Sequence, residues 1–125
     1  MLDHFGIPVR NVAAAAAFYD IALAPLGAKR VKEVGELVCF GTTAHTLWLV
    51  PATEEDSRTE LHVAFAAPDR ETVDAFYEAA VGAGYESLHA PAVHPEYHET
   101  YYGAFVRDPD GNNVEAVCHT PPQGT

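Results

Sequence analysis

An internal repeat is what most narrows the possible folds of this chain. At a constant offset of 58 residues His4 falls on His62, Phe18 on Phe76, Tyr19 on Tyr77 and Ala22 on Ala80, without a gap. Self-similarity at that spacing means one supersecondary unit used twice, with equivalent positions related by an approximate two-fold axis. Each copy opens on an alternating run. Phe5, Ile7 and Val9 share one face, with His4, Gly6 and Pro8 on the other; Leu61, Val63 and Phe65 repeat this against His62, Ala64 and Ala66. Period two is the signature of a half-buried strand. A helix follows each time. Asn11 caps a helical stretch over 13–23 that Pro25 and Gly27 close, and Asp69 caps a second in which Val73, Phe76, Tyr77 and Ala80 recur at i, i+3, i+4 and i+7, ending near Gly82 and Gly84.

The first copy continues with three short strand candidates, 29–34, 37–40 and 46–50, parted by Gly35 and a turn over 41–44. The second continues with a weak strand over 85–88, a loop dense in His and Tyr, and a hairpin over 101–118 whose turn, Asp108-Pro109-Asp110-Gly111, presets φ at Pro and needs a positive φ at Gly. The reading predicts a single α+β domain over 1–125. It consists of two tandem βαβββ modules, 1–52 and 60–119, joined by an acidic, aperiodic linker over 53–59.

Strand alternation puts Val114, Ala116 and Cys118 on one face of the last strand and Glu115 on the other. A carboxylate there must be solvated, ion-paired or metal-bound, because burying it alone is costly. His4 and His62 oppose the apolar faces of their own strands, so the two imidazoles and Glu115 are expected to converge in one cavity. Two nitrogens and one oxygen suit a divalent first-row metal with positions left for water or substrate. Aligning 47–49 on 114–116 makes Trp48 the counterpart of Glu115, either a core filler or a substrate wall. The segment from His94 to Tyr102 reads equally as a rim packed with aromatics or as a source of an acid or base. His98, Tyr102 and Tyr97 are its catalytic candidates; Tyr101, Trp48 and Arg107 are candidates for substrate contact. No role falls to His45, His89 or His119.

Composition excludes several partners. A formal charge of −11, a pI near 4.8 and only seven scattered Lys and Arg residues argue against nucleic acid and anionic membranes. No apolar run is long enough to span a bilayer and the start of the chain lacks a signal-like pattern, so a cytoplasmic location is expected. Cys39 and Cys118 sit inside strands and read as buried free thiols.

Four stretches, Leu2-Asp3-His4, Phe18-Tyr19 followed by Leu26-Gly27, Leu61-His62-Val63-Ala64-Phe65, and Phe105 through Glu115, make the whole chain resemble the vicinal oxygen chelate superfamily. That group includes glyoxalase I, bleomycin-resistance proteins, fosfomycin-resistance enzymes and extradiol dioxygenases. The resemblance implies paired βαβββ modules curled into a half-open barrel, with metal ligands at the positions of His4, His62 and Glu115. It also implies a homodimer whose barrels are completed between two chains. The metal would be Fe, Mn, Ni, Zn or Co. Trp48 is a departure: glyoxalase I carries a ligating Glu there, so the chain looks closer to the three-ligand members. The implied function is a metal-dependent enzyme of glyoxalase or dioxygenase type that chelates a small, oxygen-rich substrate. Non-catalytic sequestration, as in bleomycin-resistance proteins, is the alternative. A fosfomycin-type thiol transferase comes third, since only Arg10 and Arg107 could anchor an anion.

Overall fold

The computed structural model describes residues 2–43, 46–54, 56 and 59–122; His45, Ala44 of the predicted turn, and Glu55, Ser57 and Arg58 of the predicted linker lie outside them. The element order is β1 (Phe5–Val9), α1 (Val12–Leu23), a 3-10 turn (Ala24–Leu26), β2 (Lys29–Val34), β3 (Leu37–Gly41) and β4 (Leu47–Pro51). It begins again with β5 (His62–Ala66), α2 (Arg70–Gly82), β6 (Ser87–Val93), β7 (Tyr102–Arg107) and β8 (Asn113–Cys118). This is βαβββ twice. The capping residues obey the repeat: Asn11 accepts from the Ala14 amide and Asp69 from the Thr72 amide, each satisfying a helix N–H that has no partner within its own helix.

Each module builds one four-stranded sheet, in the orders β1-β4-β3-β2 and β5-β8-β7-β6, and neither sheet closes into a barrel. In both, the opening strand pairs parallel with the last strand and the remaining pairs are antiparallel. The registers settle the correspondence between modules. Gly6 lies opposite Trp48 and Ala64 opposite Glu115, so Trp48 and Glu115 are equivalent positions.

One apolar core joins the two sheets through their helices. Ile7, Val9, Phe18, Ala22 and Leu49 of the first module and Val73, Phe76, Ala80, Val114 and Ala116 of the second form a single buried cluster, with α1 packed on α2. The opposite sheet faces, which carry His62, Ala64 and Ala66, are exposed along β5.

Several boundaries shift by a residue from expectation, and two differences matter more. β1 begins at Phe5, so His4 stands just outside it. β6 extends to Val93 although its sequence does not alternate, because two irregularities in its pairing with β7 absorb the mismatch. Pro91 is tolerated there because β6 is an edge strand. Among the described residues no helix is long and apolar enough to cross a membrane.

Candidate metal centre

Glu115 sits in the middle of β8 between two strands, with its side chain only 1% exposed. Among the described residues it is the one fully buried Glu, and both of its oxygens are engaged. His62 Nε2 lies 2.9 Å from Oε1, and the Tyr101 hydroxyl donates to Oε2. An ionised carboxylate only accepts, so Nε2 carries the proton of the first contact. These two hydrogen bonds offset the desolvation of the carboxylate. Burial, and then the hydrogen bond to Glu115 and its charge, hold the Tyr101 phenol well above its ordinary range, so Tyr101 stays a neutral donor.

The surroundings are rings. Phe105 lies opposite Glu115 across the β7–β8 ladder, and His89 lies opposite Phe105. The His62, His89 and His94 rings stand 6.1, 5.5 and 5.5 Å from the Phe105 ring. His94 pairs through Nδ1 with Glu96, and its buried Nε2 has no hydrogen-bond partner.

The predicted site residues separate into three groups. His62, Glu115 and Tyr101 come together. His4 does not join them: its Nδ1 bonds Asp3 Oδ1 at 2.6 Å, and it lines a shallow recess with Leu37, Trp48 and Val50 on the first sheet. Among the described residues no three His, Cys, Asp or Glu side chains gather as a metal-holding group. Within one chain, the expected convergence of all three ligands is therefore not formed.

The remaining candidates face elsewhere or are engaged. Tyr102 shares the parity of Ala104 and Val106, so alternation turns it toward α2. There its hydroxyl donates to Asp74 at 2.7 Å, its ring lies 4.8 Å beneath the Arg70 guanidinium, and burial with Asp74 pushes its phenol up to about 12. Tyr102 thus lies on the α2 side of β7, and the neighbouring Tyr101 is the tyrosine that meets Glu115. Arg107 is held by Glu60 at 2.5 Å, by the Gly111 carbonyl at 2.7 Å and by Glu86 at 3.4 Å, and Arg10 by Asp110 at 3.1 Å. Tyr97 is 62% exposed and stacks on His94. His98 accepts from the Thr100 amide at Nδ1, which leaves its proton on Nε2 to be donated to His119 Nδ1 at 2.7 Å. His119, given no role from sequence, and Gly103, not singled out there, both lie beside Tyr101, although a glycine inside a strand is itself a sign of close approach.

A cavity of about 410 Å³ lies at the seam of the modules, lined by residues including Gly6, Pro8, Arg10, Leu61 and Asp110. It holds none of the metal candidates.

The donor set fits a divalent first-row metal. An imidazole nitrogen and a carboxylate oxygen already face each other on a half-open sheet, and the other carboxylate oxygen is fixed by a neutral donor.

Two helix-backed βαβββ modules, each with an open sheet face, define the small half-barrel class of α+β proteins. The sequence matches the model of the Glyoxalase/Bleomycin resistance protein/Dioxygenase superfamily over residues 1–116, and the chain belongs to that superfamily. Among solved structures it is similar to a glyoxalase/bleomycin resistance protein from Albidiferax ferrireducens T118, with 25% identity, 94% of this chain and 98% of that one covered, and a TM-score of 0.82. It is also similar to a putative glyoxalase from Bacillus halodurans, with 26% identity, coverage of 94% and 95%, and a TM-score of 0.77. A lactoylglutathione lyase from Agrobacterium tumefaciens, 22% identical with coverage of 94% and 92% and a TM-score of 0.71, shares the fold. A comparison with curated proteins finds no match.

Proposed function

We propose that the chain is a divalent-metal-dependent enzyme of glyoxalase or dioxygenase type. In this reading it works as a homodimer in which His62 and Glu115 of one copy and His4 of the other hold the metal. The observation that carries this reading is the buried Glu115 carboxylate with His62 Nε2 at 2.9 Å on an open sheet face. Exposed His4 on the first sheet, outside the pair's reach, fits completion by a second copy.

Bound there, a divalent metal would act as a Lewis acid, stabilising negative charge that develops on vicinal oxygens of the substrate. The protein's own groups do the rest. Glu115 and His62 fix the centre, and Tyr101 holds the carboxylate. Phe105 and the surrounding imidazole rings form a wall that excludes water from one side.

The charges favour a neutral, oxygen-rich substrate. Arg10 and Arg107, the two arginines that could have anchored a glutathione or phosphonate, are both committed to carboxylates. Lys32 is the other cation to weigh, since it stands opposite Cys39 and hence on the Trp48 face of the first sheet.

Elemental analysis of protein prepared without chelator, beside His62→Ala and Glu115→Ala, tests the reading. The expected result is near-stoichiometric metal in the parent and its loss in both variants. A parent that cannot be loaded with Fe, Mn, Ni, Zn or Co would overturn the catalytic reading in favour of ligand sequestration.

A further inference from the structure

We propose that Tyr101 is a positioning residue that holds Glu115 with a single oxygen presented beside His62, and that the histidine-rich segment before β7 acts with His119 as the clamp on Tyr101. The inference rests on reading Glu115 and His62 as metal ligands. It gives the unusual 94–102 segment a different part from the acid or base expected of it.

Three independent observations converge on the contact. The first is the division of the carboxylate: Oε2 takes the Tyr101 hydroxyl and Oε1 faces His62 Nε2. A carboxylate held at one oxygen cannot rotate freely about its last bond, so its other oxygen keeps a fixed direction.

The second is Gly103. It lies inside β7 and is not among the glycines with positive φ, so the backbone does not require it. The space does. A Cβ at position 103 would stand 3.0 Å from Glu115 Oε2 and 3.2 Å from Tyr101 Cε1, closer than side-chain carbons ordinarily pack. Glycine in the middle of a strand weakens it, and here the missing side chain makes room for the tyrosine–carboxylate contact.

The third is the packing of the Tyr101 ring. Tyr97, His119, His98 and His94 have ring centroids 4.9, 5.3, 5.5 and 6.1 Å from it. The clamp is itself tied shut. His98 donates to His119 at 2.7 Å, the Thr100 hydroxyl donates to the His119 carbonyl at 2.7 Å, and the His94 amide donates to the Tyr101 carbonyl at 2.7 Å. His119 directly follows β8, the strand that carries Glu115. Loop and strand thus grip the phenol from both sides.

The test uses Co(II) alone, titrated into metal-stripped protein, with affinity and the visible d–d spectrum as readouts. The proteins are the parent, Tyr101→Phe, Gly103→Ala, the double variant and Glu115→Gln. Tyr101→Phe keeps the ring and loses only the hydroxyl; it is expected to weaken Co(II) by about 10- to 100-fold and to alter the spectrum, with circular dichroism unchanged. Gly103→Ala is expected to reproduce both effects from the other side of the contact. The double variant should be no weaker than the worse single, because both changes act on one interaction. Parent-like affinity and spectrum in the folded single variants, with metal lost in Glu115→Gln, would overturn the positioning role and leave the metal reading standing. A parent that takes up no Co(II) would overturn both.

Discussion

At the scale of single residues, the turn between β7 and β8 is a hub. Asp108 is buried, and its carboxylate accepts from the amides of Asp110 and Asn112, from the Asn112 side chain and from the Tyr19 hydroxyl at 2.8 Å. Asn112 in turn accepts from the Leu61 amide at 3.0 Å, so the turn ties α1 to β5 and thereby one module to the other. Tyr19→Phe leaves Asp108 its other donors. It is expected to lower stability in urea unfolding by about 1.5–3 kcal/mol, the usual range for a hydrogen bond to a charged group. Burial, with the Asp108 charge next, raises the Tyr19 phenol well above its ordinary value of 10.0. A raised folded value means the stability is whole below the ordinary phenol range and is lost as pH climbs through and above it, since the unfolded chain ionises first. Unfolding measured across alkaline pH should therefore show a fall beginning near 10. Tyr19→Phe should make that fall shallower; an unchanged slope would remove Tyr19 as its source.

At the scale of elements, equivalent positions carry equivalent duties. Asn11 and Asp69 each cap a helix, and Phe18 and Phe76 each bury the ring of the helix face toward the common core. The Asn11 side chain is the acceptor for the Ala14 amide at 2.9 Å, and α1 has no acidic residue in its first turn to assist. Asn11→Ala should cost about 1 kcal/mol by thermal or chemical unfolding. Asn11→Asp should restore or improve on the parent, because a carboxylate also favours the positive end of the helix.

At the scale of the whole molecule, the helices pack together and leave both sheet faces open. His4 thus stands on one face and the His62–Glu115 pair on another. A site shared between copies makes a specific prediction. His4→Ala and Glu115→Ala proteins, each unable to hold metal, are expected to regain about a quarter of the parent's metal when unfolded and refolded together. A random mixture makes half of all dimers mixed, and each mixed dimer rebuilds one of its two sites. No recovery, in a mixture shown by sizing to contain dimers, would mean the ligands are not shared in this way.

The amino-acid order alone determined the modules. The 58-residue offset, period-two strands and caps at Asn11 and Asp69 are local signals, each written within a few neighbouring residues, so the fold class and the pairing of Trp48 with Glu115 were legible. Alternation along β8 likewise sets Glu115 on the face away from Val114 and Ala116. Which residues meet Glu115 was decided only in three dimensions. Whether Tyr101 or Tyr102 turns inward depends on where β7 begins, a shift of one residue that sends a side chain to the opposite face. His119 and Gly103 reach the site because antiparallel pairing of β7 with β8 brings together residues far apart in the chain. His4 is separated from the pair because the modules join through their helices, a choice made by the summed burial of both apolar faces and written in no single motif.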